Sequence, residues 1–171
     1  SGVGKTTFLH LLSGLLKPMD GGIDLLGTKI SRLKMSEMDR FRGKNIGIVF
    51  QKPHFINSLT VKENLQLAQY ISKKSDKNRV QSLLESLGIE DKANKKTQNL
   101  SQGEKQRVSI ALAIVNSPKL ILADQPTSSL DDLNCDKVIN ILKNQASKYK
   151  AKLIIITHDY RLKKHFKNTL S

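Results

Sequence analysis

A chain of 171 residues, 38% of them hydrophobic, can close one sizeable core but not two independent ones. Its 29 Lys and Arg against 15 Asp and Glu give a formal charge of +14, which points to an anionic partner (nucleotide, nucleic acid, acidic headgroup or acidic protein) without choosing among them. No apolar run approaches the length that crosses a bilayer, Ser1 to Thr7 lack the pattern of a secretory leader, and the single cysteine, Cys135, excludes an intrachain disulfide; a reducing, cytoplasmic setting is expected.

In chain order, Thr6 to Leu16 reads as a helix with Leu9, Leu12 and Leu16 on one face, ended by Lys17-Pro18. After the Asp20-Gly21-Gly22 turn come a short strand, Ile23 to Leu26, and a buried strand, Ile46 to Phe50, that runs into Gln51. Thr60 to Thr97 reads as a helical insert and a small subdomain. In it, Thr60 and Glu63 have capping-box spacing before a helix over Val61 to Tyr70, and a second helix near Arg79 to Leu87 stops at Gly88. The charged stretch Ser72 to Asn78 is a loop between them. Ser101 and Glu104 repeat the capping pattern before a helix that Asn116-Ser117-Pro118 stops. A buried strand from Leu120 to Ala123 ends in Asp124, a helix spans about Asp132 to Tyr149, and the strand Leu153 to Thr157 ends in His158. Strands that alternate with helices predict an α/β fold with a mainly parallel, covered sheet.

The basic residues are spread along the chain, as at Lys73-Lys74, Lys95-Lys96 and Lys163-Lys164, and only five Phe and three Tyr could stack on bases. That pattern fits a solvated lysine-rich surface better than a nucleic-acid groove. Cys135 has no second cysteine to share a metal or a redox step and reads as a helix-face thiol.

Ser1-Gly2-Val3-Gly4-Lys5-Thr6 matches the final six positions of G-x-x-x-x-G-K-[ST], with Thr7 following in the same helix. Glycines let backbone N–H groups close on phosphate oxygens, the helix presents its positive end, Lys5 can reach outer phosphates and the Thr6 hydroxyl can hold Mg²⁺. The pattern's first glycine would lie two residues before Ser1. We therefore read the chain as a fragment whose first strands are missing, and expect residues 1–171 alone to fold poorly and bind ATP weakly. Leu100-Ser101-Gln102-Gly103-Glu104-Lys105-Gln106-Arg107 supplies a second anion site, a serine hydroxyl and glycine backbone at a helix start. Gln51, Asp124 and His158 each stand where a strand exposes its end, the usual ligand crevice of α/β sheets. Singly, each is an ordinary polar rim residue; it is their order along the chain that argues for a site.

In that order these segments resemble the ABC ATPases, nucleotide-binding engines of membrane transporters. The resemblance covers nearly the whole chain and implies a P-loop NTPase fold, a mainly parallel sheet flanked by helices with an inserted helical subdomain. It implies ATP and Mg²⁺ as ligands. Ser1 to Thr7 would cradle the phosphates, Thr6, Gln51 and Asp124 would attend the metal, and His158 would contact the outer phosphate. Ser101, Gln102 and Gly103 would reach the nucleotide of an opposite subunit, and Ser128 to Asp131 would cross the interface of a head-to-tail dimer. Transmembrane subunits would dock near Gln51 and the insert, which places the chain on the cytoplasmic face of the membrane, and substrate choice would rest with them.

Thr60 to Leu65, Leu100 to Arg107 and Ala123 to Asp131 are most similar to the lipoprotein-release, macrolide-export and cell-division subgroup. One residue departs from the family pattern. Gln125 stands where the family places a glutamate that polarises the attacking water, and an amide cannot accept that proton. Good ATP binding with slow hydrolysis follows, as for an engineered trap or a naturally slow subunit. The aromatic residue that stacks on adenine in the family is absent. Other readings are a DNA-repair ATPase, which would carry a long coiled coil where only a compact insert stands, a tandem translation-associated ATPase, and a nucleotide-gated clamp without turnover.

Overall fold

In the computed structural model, which describes residues 4–128 and 130–169, the chain runs α1 (Lys5–Leu12), β1 (Asp24–Leu25), β2 (Thr28–Lys29), α2 (Met35–Asn45), β3 (Ile46–Val49), α3 (Val61–Ile71), α4 (Lys77–Ser86), α5 (Gln102–Ile114), β4 (Leu120–Asp124), α6 (Asp132–Lys148) and β5 (Lys152–Ile156). Short 3-10 turns lie at Ile30–Arg32, Glu90–Lys92, Thr97–Asn99 and Tyr160–His165.

β3, β4 and β5 form one parallel sheet with β4 at its centre, in the register Ile46 opposite Leu120 opposite Lys152. Their Ile, Leu and Val residues alternate strictly between two covers. Ile46, Ile48, Leu120, Leu122, Ile154 and Ile156 meet Leu9 of α1 and Met38 of α2. Val49, Ile121, Ala123, Leu153 and Ile155 meet α3, α5 and α6 through Leu65, Val108, Ile110, Ile114, Ile139 and Leu142. Every residue of β4 is buried. Gly47 is dictated by packing, because a Cβ there would lie 2.0 Å from the Ala113 carbonyl oxygen; α5 sits directly on β3.

α3 and α4 share the larger apolar cluster with α5 and α6. The segment that carries them is pinched at its ends, where Thr60 bridges Lys96, the Val61 N–H donates to the Lys95 carbonyl (3.0 Å) and the Lys62 N–H to the Ala93 carbonyl (2.9 Å). Arg79 of α4 donates to the carbonyls of Ile114 and Val115, both at 2.6 Å, and so satisfies the open end of α5.

The first helix is shorter than its apolar spacing predicts. It ends at Leu12, and the N–H groups of Leu15 and Leu16 both turn back to the His10 carbonyl (2.9 and 3.1 Å), which leaves Leu16 exposed rather than on the buried face. The short strand expected over Ile23 to Leu26 is β1, which pairs antiparallel with β2; β2 itself and the helix α2 were not legible in the sequence. The signal for α2 was a Glu37 carboxylate that accepts the Lys34 N–H (2.8 Å), three residues back, followed by apolar Met38 and Phe41 at helical spacing.

Candidate functional site

The carboxyl ends of the parallel strands gather most of the residues singled out from the sequence. Gly4 is the N-cap of α1 in the left-handed region (φ +66°), open on the side a Cβ would occupy, and being glycine it offers the helix no side-chain cap of its own. α3, α4, α5 and α6 by contrast open on side-chain caps from Thr60, Asp76, Ser101 and Asp131. An eight-residue helix whose first N–H groups receive no side-chain cap from their N-cap residue suits an external anion in that place. Lys5 and Thr7 are exposed there. Ser1, Gly2 and Val3, the rest of the expected phosphate cradle, lie outside the described residues.

Thr6 joins this helix start to the sheet, its hydroxyl donating to Asp124 Oδ2 (3.2 Å). Asp124 is buried as the last residue of the central strand, and among the described residues its Oδ1 has no hydrogen-bond partner. The next residue, Gln125, takes φ +50°, a conformation that costs a non-glycine residue about 1 kcal/mol or more. Its N–H is anchored to the Ile156 carbonyl at 2.8 Å. Its Oε1 is buried and likewise lacks a partner among the described residues. These two buried acceptor oxygens, on consecutive residues and unpaired among the described residues, call for a donor or a cation.

His158 follows β5 and is exposed, and Gln51 is exposed two residues beyond Val49 of β3. Ser101, Gln102 and Gly103 open α5 elsewhere on the surface. Ser101 caps that helix through the Glu104 N–H (3.3 Å), Glu104 accepts the Ser101 N–H (2.7 Å), and Lys92 pairs with Glu104 at 3.4 Å. The Ser101 N–H, foremost, holds the Glu104 carboxyl below its ordinary range. Among the described residues no hydrogen bond or ion pair joins Ser101 or Gly103 to the Thr6–Asp124 group.

Sequence reasoning missed a second polar group at the same sheet edge. Thr127, fully buried, donates its hydroxyl to Asp159 Oδ2 (2.8 Å), and Asp159 is gripped by Arg161 through Nε (2.9 Å) and Nη2 (2.7 Å). The Arg161 guanidinium holds the Asp159 carboxyl down to about 2, and Asp159 in turn raises Arg161. Cys135, buried on α6, lies 4.0 Å from Asp159 Oδ2, and burial pushes its thiol up. Only an Asp directly after His158 hinted at this group.

Residues 1–128 match the ABC transporter family. The chain belongs to that family. It is 40% identical over 162 residues to the lipoprotein-releasing system ATP-binding protein LolD of Buchnera aphidicola, covering 93% of this chain and 71% of that protein. It is 37% identical to the LolD of Bacteroides fragilis, covering 96% and 77%. Among solved structures it superimposes with a TM-score of 0.87 and 33% identity on the dimeric form of the bacterial ABC transporter cassette MJ0796, covering 96% of this chain and 74% of that one. A post-hydrolysis dimer of the same cassette bound to ADP and Pi gives 0.83 and 34%, covering 91% and 70%.

The expected α/β, P-loop NTPase class is therefore established, and with it an ATP-binding ABC transporter subunit that is an ATPase. Among the described residues no cluster of three or more His, Cys, Asp or Glu side chains could hold a metal by itself, and no helix is long and apolar enough to cross a membrane. One carboxylate beside one hydroxyl, as at Asp124 and Thr6, nonetheless fits Mg²⁺. That ion keeps most of its waters and borrows phosphate oxygens from a nucleotide.

Proposed function

We propose that this ATPase binds Mg-ATP at the start of α1, closes on ATP into a head-to-tail dimer, turns the nucleotide over slowly, and drives transmembrane subunits of a lipoprotein-release type exporter from the cytoplasmic face of the membrane. The single observation that carries the reading is the Thr6–Asp124 hydrogen bond at the start of α1, with Asp124 Oδ1 and Gln125 Oε1 buried and unpaired among the described residues.

In this reading Lys5, Thr7 and the backbone from Ser1 to Gly4 hold the outer phosphates, and Thr6, Asp124 and Gln51 attend Mg²⁺. The ion would neutralise charge on the phosphate oxygens when bound. Gln125 orients the attacking water through its amide oxygen, its backbone anchored by the bond of its N–H to the Ile156 carbonyl. It takes no proton, so the step forfeits general-base assistance. His158 faces the outer phosphate from the neighbouring strand. Ser101, Gln102 and Gly103 serve the partner's nucleotide from the start of α5. We treat residues 60–97 as the helical insert that meets the transmembrane partner, supported by the pinch at Thr60–Lys96 and by the grip of Arg79 on α5, and nucleic acid has no part in the reading.

The test is steady-state hydrolysis in the full-length protein, Gln125 against Gln125→Glu. The glutamate variant should turn over about 10²–10⁴-fold faster at similar ATP affinity. Equal rates would remove Gln125 from the role of water-orienting residue. A second reading, a nucleotide-gated clamp that cycles without hydrolysis, is favoured by the same Gln125, and predicts that the glutamate variant gains turnover but loses the partner's response.

A further inference from the structure

The polar group at Asp159 does more than neutralise a charge. Arg161 spends its donors mainly on geometry. Besides the two bonds to Asp159, Nη1 and Nη2 each donate to the Leu130 carbonyl at 3.2 Å, Nη2 to the Thr127 carbonyl at 3.4 Å, and Nη1 to Asp132 Oδ1 at 2.6 Å. Thr127 is held twice, by this contact and by its own hydroxyl on Asp159. The turn that leaves Gln125 and enters α6 is thus fastened at both ends, Thr127 and Leu130, from the residues that follow His158. Asp159 itself is set by its N–H to Thr157 Oγ1 at 2.9 Å.

A surface ion pair formed for charge alone would leave the backbone carbonyls to water. Here the Asp159 side chain is only 11% exposed and Thr127 not at all. A planar fork bound two-to-two to a carboxylate fixes direction as well as distance.

We propose that Arg161 is a positioning residue, a clamp that sets Thr127, Leu130 and Asp132 against the segment carrying His158, so that these residues and the phosphate-facing histidine move as one body. This rests on the function proposed above. The effect of Arg161 passes through Thr127, Leu130 and Asp159. The clamp joins residues 32 positions apart across two adjacent strands, so a shift on one side of the crevice is delivered to the other without passing through the sheet.

The experiment uses the full-length protein in the Gln125→Glu background, where turnover is measurable, and compares Arg161→Ala, Arg161→Lys and Asp159→Asn. Loss of the clamp lowers kcat about tenfold or more with KM for ATP within about twofold, because misplacement costs rate rather than binding. Lysine, which keeps the charge but lacks the fork, stays low, and combining Arg161→Ala with Asp159→Asn adds no further loss. A folded Arg161→Ala or Arg161→Lys protein with unchanged kcat overturns the clamp, as does a fall in kcat that lysine restores.

If the Gln125→Glu parent fails to hydrolyse ATP, the proposed function falls, and amide hydrogen exchange then decides the clamp by itself. Protection of residues 127–132 on adding Mg-ATP should be lost in Arg161→Lys. Protection that persists overturns it.

Discussion

The two ends of the proposed nucleotide machinery are built in opposite ways. The Asp124 end grows out of the core: a strand buried along its whole length delivers one carboxylate and one amide to the sheet edge, and among the described residues Asp124 Oδ1 and Gln125 Oε1 find no partner. The Ser101 end is an exposed helix start that satisfies itself, with Ser101 and Glu104 exchanging hydrogen bonds and Lys92 balancing Glu104. A site left unsatisfied by its own chain is poised for a ligand. A site already satisfied must give up one of its bonds, or add a contact, when another surface arrives. The contrast predicts that damage at the first end shows in nucleotide and metal chemistry, and damage at the second chiefly in ATP-driven association.

The sharpest way to break that contrast is the Gln125→Glu gain in turnover, which the core-built end should show at about 10²–10⁴-fold. Next comes Asp124→Asn, which keeps the shape and the acceptor for Thr6 but removes the charge. Apparent Mg²⁺ affinity in ATP hydrolysis should fall about 10- to 100-fold, read from a magnesium titration, while the melting curve stays cooperative.

A smaller effect separates the clamp from the rest of the edge. A carboxylate whose folded pKa lies below its unfolded value stabilises the fold only while ionised. Asp159, held at about 2 against an ordinary 3.8, should therefore contribute its full share above about pH 5 and lose it as pH falls through 4 toward 2. Acid unfolding of Asp159→Asn should be flatter over that window by about 2 kcal/mol. The smallest effect is Ser101→Ala, which removes one helix cap. It should cost about 1 kcal/mol in denaturant titration and leave ATP binding by the single chain untouched, yet weaken any ATP-driven association.

The two ends were also unequally legible. Ile46 to Val49, Leu120 to Asp124 and Lys152 to Ile156 announce themselves because short apolar runs in a parallel sheet have no polar face to blur them. Thr60 with Glu63 and Ser101 with Glu104 mark helix starts because a cap is chemistry within four residues. α2 was not legible since its buried residues are few and its start has no side-chain cap, and β2, unlike the expected strand β1, is only Thr28–Lys29. The Thr127–Asp159–Arg161 group was illegible for a different reason. Its partners meet only once β4 and β5 are in register, and an Asp or an Arg in a polar stretch looks like solvated surface until that register is known. Gln125 stood out in the sequence as a residue type, but its left-handed backbone and the tether to Ile156 did not.

The most direct test of the account is sedimentation of the full-length protein with and without Mg-ATP, Gln125 beside Gln125→Glu. The account predicts a stable ATP-dependent dimer for Gln125, a dimer that forms and then falls apart as ATP is consumed for Gln125→Glu, and no ATP-dependent dimer for Gln125 carrying Ser101→Ala and Gly103→Asp. A Gln125 protein that binds Mg-ATP yet stays monomeric would contradict the claim that the Ser101 end is half of a site completed by a second copy.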